Sequence, residues 1–233
     1  MKRFFDIVFS LAVLLALSPV LIAFIFMVYL EDRHSPFYRA PRVGKDGKSF
    51  SMLKIRSMGV NADKSGVNST SNDDNRITKT GSYIRRYKID ELSQFWNVLK
   101  GDMSVVGPRP NSMKDGVELY TPSEMALLSI RPGITDIASI VFSDEGEILA
   151  GATDPNGRYE QLIRPWKSRL GLFYVQYASL LLDIKIIWLT AVAIVSREAA
   201  LDGVEKILRA YACDTQLLEV SRRQAPLYPM TPP

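Results

Sequence analysis

Hydrophobic and polar positions divide this chain into stretches with different periods. Residues 7–30 are apolar without a single charge. As one helix of about 24 residues rising 1.5 Å each they cover ~36 Å, enough to cross a ~30 Å hydrocarbon core. Residues 37–58 read as a hairpin: an apolar-polar segment, a turn at Lys45-Asp46-Gly47-Lys48, then an extended run that puts Lys54 and Arg56 on one face and Leu53 and Ile55 on the other. Residues 59–81 are polar and rich in Asn, Ser, Asp and Thr, as in a surface loop, and a short helical turn over residues 82–87 presents Arg85 and Arg86. Leu92, Phe95, Trp96 and Leu99 then recur at i, i+3, i+4 and i+7, which predicts a helix with Asp90 as its N-cap, one apolar stripe toward a core, and Gly101 as its stop.

Farther on, Thr121-Pro122-Ser123-Glu124 has the form of a capping box opening a helix that ends before Arg131-Pro132-Gly133. Asp144-Glu145-Gly146-Glu147 reads as a solvated acidic turn. Leu170, Phe173, Tyr174 and Tyr177 keep helical spacing, as core or interface packing. Residues 186–195 are uncharged but too short to span a bilayer, and suit either the membrane interface or the core. After Leu201 an amphipathic stretch leads to a Pro-rich tail, expected to be loosely held or docked on a partner. The implied fold is a helix-rich α/β class: amphipathic helices around a small β element, anchored by the N-terminal apolar segment.

Composition narrows the chemistry. The 233 residues carry a net charge of +4, too mild to argue for nucleic acid and suited to an anionic membrane surface or phosphorylated substrates. The single cysteine, Cys213, excludes an internal disulfide framework, and the single histidine, His34, argues against a His-rich metal site or a Ser-His-Asp triad. The apolar run is too long for a secretory signal and no small-residue cleavage site follows. Ser18-Pro19 interrupts it near the middle, where proline removes a backbone bond. Lys2 and Arg3 precede the run, and Arg33, Arg39 and Arg42 follow it. Positive charge on both flanks fits a segment whose ends share one side of the membrane, although a Pro-kinked span stays slightly ahead on the residues alone.

Asp90-Glu91 is the candidate chemistry. A carboxylate at a helix start lies in the positive field of the free N–H groups, which favours its ionised form, and those groups also suit a phosphate. Taken by itself, the pair reads more simply as a cap and a first-turn charge. Likewise, Lys54 and Arg56 read more simply as the wet side of a strand.

The chain as a whole resembles the bacterial sugar transferases, the monotopic polyprenyl-phosphate phosphoglycosyl transferases. The resemblance rests on Lys2-Arg3-Phe4-Phe5-Asp6, the apolar run with Ser18-Pro19, Lys54-Ile55-Arg56-Ser57-Met58, the block from Asp90-Glu91-Leu92-Ser93-Gln94-Phe95-Trp96 to Ser104, Val106-Gly107-Pro108-Arg109-Pro110 and Arg131-Pro132-Gly133-Ile134-Thr135. It covers roughly residues 1–195. It implies transfer of a sugar phosphate from a nucleotide diphosphate sugar, written here as a UDP-sugar, to polyprenyl phosphate. Asp90 would be the nucleophile and Glu91 its partner, with Mg²⁺ at the same two residues. Lys54, Arg56, Arg85 and Arg109 would be the phosphate-binding cations. It also implies a re-entrant helix broken at Ser18-Pro19 over residues 1–33, a catalytic domain over 34–200 on the cytoplasmic face of the bacterial inner membrane, and an appended stretch over 201–233. Alternatives are a catalytically silent membrane scaffold for glycan assembly and a single-step transfer with no covalent intermediate. Where many members continue after Gly133-Ile134-Thr135 with Gly and an Ala-Gln run, this chain has Asp136-Ile137-Ala138-Ser139-Ile140, so the donor does not carry over. The oligomeric state stays open.

Overall fold

The structure, a computed structural model, describes residues 1–62, 74–114 and 116–233. Most of the polar loop expected after Gly59 lies outside the described residues. The apolar run forms helix α1 (Lys2–Asp32), continuous through Pro19. Proline has no N–H to give to the carbonyl four residues back, which is that of Leu15. The Ser18 hydroxyl takes this carbonyl instead, at 2.8 Å. The break expected at Ser18-Pro19 is therefore absent from the secondary structure, because the neighbouring side chain replaces the missing bond.

Along one edge α1 rests on the rest of the chain. Its first turn is held by polar groups. Lys2 Nζ donates to Asp183 (2.7 Å), the Val106 carbonyl and Tyr174, Arg3 donates to the carbonyls of Val98 and Leu99, and buried Asp6 accepts from Ser104 and from the Val105 N–H. Farther along, Leu21 and Val28 pack with Ile55, Ile84 and Ile89. At the far end Asp32 pairs with Arg56, and Glu31 accepts from Thr78. The opposite face, including Phe4, Leu15, Ile22 and Phe26, is bare.

Strands β1 (Phe37–Val43) and β2 (Ser49–Ile55) form the expected antiparallel hairpin, in register from Phe37 opposite Ile55 to Val43 opposite Ser49. Its turn uses left-handed backbone at Asp46 (φ 58°) and Gly47 (φ 73°), residue types that tolerate it. Helix α2 (Lys79–Arg86) starts earlier than the sequence suggests, because Thr78 caps it through the Gly81 N–H. The predicted central helix is two short pieces, α3 (Ile89–Leu92) and α4 (Phe95–Lys100), joined through Ser93-Gln94. Lys88 is the N-cap rather than Asp90. Gly101 is the stop, in left-handed conformation. Of the predicted stripe Phe95 is buried, but Trp96 is 54% exposed, since the change between α3 and α4 turns it outward.

Strands β3 (Ser104–Val106) and β4 (Gly133–Thr135) pair in parallel. The approach is close enough that a Cβ on Gly133 would lie 2.1 Å from the Gly107 nitrogen. Gly133→Ala is expected to cost about 3 kcal/mol, read as a melting temperature lower by roughly 10 °C in thermal denaturation.

Beyond β4, α5 (Ile137–Val141) is capped by Asp136, and α6 (Glu145–Leu149), α7 (Pro155–Leu162), α8 (Arg164–Tyr177), α9 (Leu180–Val195), α10 (Arg197–Ala210) and α11 (Thr215–Arg222) complete the domain. Trp166, Leu170 and Tyr174 of α8 sit at the centre of the core. Helix α9 reconciles its two sequence readings: Ile186 and Leu189 are buried, whereas Leu181, Trp188, Ile194 and Val195 face out. The acidic turn is ion-paired and not simply solvated. Asp144 meets Arg197 and Arg223, and Glu145 meets Lys167. The amphipathic stretch after Leu201 belongs to α10 and α11, whose Val204, Ile207, Leu208, Leu217 and Val220 are buried in the main core.

Candidate functional site

Left-handed backbone at Lys88 (φ 52°) turns the chain into α3, whose anchor is buried Ile89. Asp90 and Glu91 follow in the first turn. The register of this turn against β2 is fixed by side chains on the next helical segment. Ser93 Oγ donates to the carbonyls of Leu53 and Asp90. Asn97, 1% exposed, accepts from the Leu53 N–H at 2.9 Å and donates to the Ser51 carbonyl at 2.8 Å. These bonds fix the strand just ahead of Lys54, whose Nζ lies 3.7 Å from Asp90 Oδ2.

Asn97 was not among the sequence candidates, although a polar residue between the apolar positions Trp96 and Val98 is a visible signal. Asn97→Leu leaves a strand N–H and a carbonyl without partners. The expected cost is about 3 kcal/mol, read as a lower midpoint in urea unfolding, with Asn97→Asp intermediate because it keeps the acceptor.

Arg109 reaches the pair from the other side. The backbone on each side of it is stapled. Gly107 N–H donates to the Thr135 carbonyl, Gly133 N–H to the Pro108 carbonyl, and Val43 N–H to the Asn111 carbonyl. With Pro108 and Pro110 both buried, little freedom remains in this segment. The guanidinium Nη2 lies 2.7 Å from Glu91 Oε1.

The two carboxylates therefore sit in unlike environments. Burial pushes Asp90 up from the ordinary carboxylate range, against the charges of Lys54, Arg109 and Arg85 and with the help of Glu91. The helix-end field expected to keep Asp90 ionised is thus opposed by desolvation. At Glu91 desolvation is outweighed by the charges of Arg109 and Lys54 and by the Arg109 hydrogen bond, which hold it at about 2. Lys54 is lowered by burial and by the neighbouring Arg109 charge, whereas Arg109 is raised by Glu91. Asp90 accepts no side-chain hydrogen bond among the described residues. Its one close partner is the Lys54 ammonium at 3.7 Å, among the described residues.

Of the four cations named from sequence, the structure gathers Lys54 and Arg109 at the pair, and Arg85 acts on Asp90 through its charge. Arg56 goes elsewhere. It forms a two-pronged pair with Asp32, Nη2 to Oδ1 at 2.7 Å, and its Nε donates to the Ser35 carbonyl, so it closes the far end of α1. It lies one residue past the end of β2, where strand alternation no longer governs direction.

Arg109 also borders a small pocket of about 50 Å³, lined among others by Tyr120, Asp136, Ser139, Tyr159, Arg164 and Lys167. Lys167 pairs with Glu145 and lies 5.4 Å from the centre of the Tyr159 ring. Arg164 binds buried Glu124 (2.8 Å) and Glu160 (2.6 Å). The capping box closes reciprocally, Thr121 N–H to Glu124 and Glu124 N–H to Thr121 Oγ1, but it opens only a 3₁₀ turn, Glu124–Ser129. Besides Arg109, the sequence pointed only to Asp136 and Ser139, in the segment that departs from the family pattern and is expected to contribute to nucleotide or sugar recognition; Tyr120, Tyr159, Arg164 and Lys167 were not singled out. The lining residues come from separate elements, and no spacing links them.

Two carboxylates set between Lys54 and Arg109, with Arg109 also lining a pocket that holds Arg164 and Lys167, form an arrangement that can accept and hold a phosphorylated ligand. A family model described as bacterial sugar transferase matches residues 1–197. The chain belongs to that family. Among its relatives is the UDP-glucose:undecaprenyl-phosphate glucose-1-phosphate transferase of Klebsiella pneumoniae, 35% identical over 191 residues, covering 81% of this chain and 39% of that protein. Another is the exopolysaccharide production protein PSS of Rhizobium leguminosarum bv. phaseoli, 37% identical over 207 residues, with 84% and 96% covered. The uncharacterized sugar transferase EpsL of Bacillus subtilis is 37% identical over 190 residues, with 82% and 85% covered. The chain spans about two fifths of the length of the Klebsiella relative and most of the length of the other two. Within this sugar transferase the matched segment ends at the start of α10, so α11 and the tail lie beyond it.

Proposed function

We propose that this sugar transferase moves a sugar phosphate from a nucleotide diphosphate sugar, of the UDP-sugar class named for its Klebsiella relative, to polyprenyl phosphate. The observation that carries the reading is the Asp90 carboxylate, paired with Lys54 at 3.7 Å and next to the Glu91–Arg109 pair, whose arginine lines the pocket. An Asp90 oxygen attacks the phosphorus that bears the sugar. The bond to the nucleoside monophosphate breaks, and that leaving group takes the electron pair. An oxygen of polyprenyl phosphate then attacks the same phosphorus, the bond to Asp90 breaks, and the carboxylate is restored. Lys54, Arg85 and Arg109 oppose the negative charge that gathers during both steps.

Glu91, held at about 2 by Arg109, is too weak a base to take a proton near neutrality. Its role is to fix Arg109. Asp90 and Glu91 are the oxygens that fit Mg²⁺: few protein carboxylates with the remaining positions left to phosphate and water suit that ion. Bound there, Mg²⁺ would supply further neutralisation of phosphate charge.

Membrane attachment follows from α1. In its most apolar eighteen-residue stretch 6% is buried, unlike the core helix of a soluble domain. Yet Lys2 and Arg3 at one end and Glu31 and Asp32 at the other bind the same domain. A helix of ~46 Å standing across a bilayer would have to release one set. We therefore place both ends on the cytoplasmic face and α1 in lipid, with exposed Trp96, Trp188 and Val195 as further apolar groups for the membrane surface. Cysteine tags at Met1 and His34 in sealed inverted vesicles should both be labelled from outside. Labelling of only one restores a span.

The catalytic reading is tested by acid quench after mixing with donor alone. Mass spectrometry should find a sugar phosphate on the peptide containing Asp90. Its absence at full turnover favours single-step transfer, and absence of any turnover favours a silent scaffold. Lys54→Met removes the largest charge opposing the rise in Asp90, so the acid limb of the pH–rate profile should move to higher pH. An unmoved limb would separate Lys54 from Asp90.

A further inference from the structure

Residues 224–233, beyond the matched family segment, pack on α7 and α8, two helices that also supply Tyr159, Arg164, Lys167 and Ser168 to the pocket lining. Met230 N–H donates to the Gln161 carbonyl at the end of α7. Tyr228 packs edge-on against buried Trp166, ring centres 5.3 Å apart, and Arg169 lies over the same indole while donating to the Thr231 carbonyl. Thr121 Oγ1 donates to the Pro233 carbonyl at 2.6 Å.

Trp166, Arg169 and Thr121 are each next in sequence to a pocket residue, and Gln161 lies two residues after Tyr159. Trp166 stands between Arg164 and Lys167 in sequence. Thr121 follows Tyr120 and closes the capping box with Glu124, the buried acid that holds Arg164 and Ser168. Four prolines in ten residues reduce the freedom lost when the segment docks. We propose that residues 224–233 are an intramolecular strap whose Tyr228 and Met230 are positioning residues: they set the pocket wall that carries Arg164 and Lys167, and so tune donor affinity without touching the reacting atoms.

This inference rests on the donor reading of the pocket, and the experiment separates the two. Full-length Tyr228→Ala and Met230→Pro, the second lacking the N–H that reaches Gln161, are compared with Tyr228→Phe and Lys167→Met. Binding of UDP is followed by calorimetry, and kcat and KM by release of nucleoside monophosphate from UDP-glucose and UDP-galactose. The first two variants are expected to weaken UDP binding and raise donor KM about tenfold, leaving kcat and the KM for polyprenyl phosphate within twofold. Tyr228→Phe, which keeps the ring, should match the parent. If Lys167→Met weakens UDP binding while Tyr228→Ala and Met230→Pro do not, the strap is overturned and the pocket reading stands. If Lys167→Met also leaves UDP binding unchanged, the pocket reading falls with it. A parallel drop in kcat and both KM-derived affinities, tracking lost thermal stability, would reduce the strap to general support and overturn its positioning role.

Discussion

Asp90→Asn is expected to leave a folded, membrane-bound protein whose turnover is lower by about 10⁴-fold or more, as when a nucleophile is removed elsewhere. The amide keeps the shape of the side chain but cannot form and release the bond to phosphorus. Stability should move the other way. Burial raises Asp90 above its unfolded value, so its ionisation opposes folding once the pH exceeds that unfolded value. A neutral isostere removes that penalty, and the melting temperature at neutral pH should hold or rise. Nucleoside monophosphate release and a thermal shift measured on the same preparation decide the matter. A residual rate within tenfold of the parent would exclude Asp90 as the nucleophile.

The second large effect belongs to Arg109. Arg109→Met removes a fixed cation from the reacting phosphate, worth about 10²- to 10³-fold in kcat. It also leaves Glu91 in a buried setting without its partner, a loss of about 3–5 kcal/mol. In the parent, Glu91 falls from an ordinary 4.5 to about 2, so its contribution to stability is present above pH 4.5 and is lost as the pH falls toward 2. Without Arg109 the desolvation of Glu91 is less opposed, and stability should decline as the pH rises through the carboxylate range. Adding Glu91→Gln to Arg109→Met should recover most of the stability and none of the activity. Chemical denaturation of the three proteins between pH 4 and pH 8 checks this. Equal pH dependence in parent and Arg109→Met would mean that the pair does not form.

The dyad, the hairpin and the Gly101 stop were legible because each depends on neighbours in sequence: adjacent carboxylates, a Lys-Asp-Gly-Lys turn, a glycine closing an apolar stripe. Arg56 was misread because strand alternation fixes direction only while the strand lasts, and β2 ends at Ile55. Trp96 was misread because a 3.6-residue period assumes one unbroken helix, and Ser93-Gln94 divides it. The proline break failed for a local reason, the Ser18 hydroxyl standing in for a missing amide. The partners of Asn97 and the assembly of the pocket wall were not legible for the opposite reason: they lie 44 to 46 residues away or on separate helices.

The Lys2 ammonium binds the carbonyl of Val106, three residues before Arg109, and also Asp183 near the start of α9. One short strand, β3, thus joins the first turn of α1 to the segment that carries Arg109. With α1 placed in lipid as proposed, a change of bilayer thickness would bear on that joint, and turnover is expected to differ between detergent micelles and vesicles of different lipid chain length.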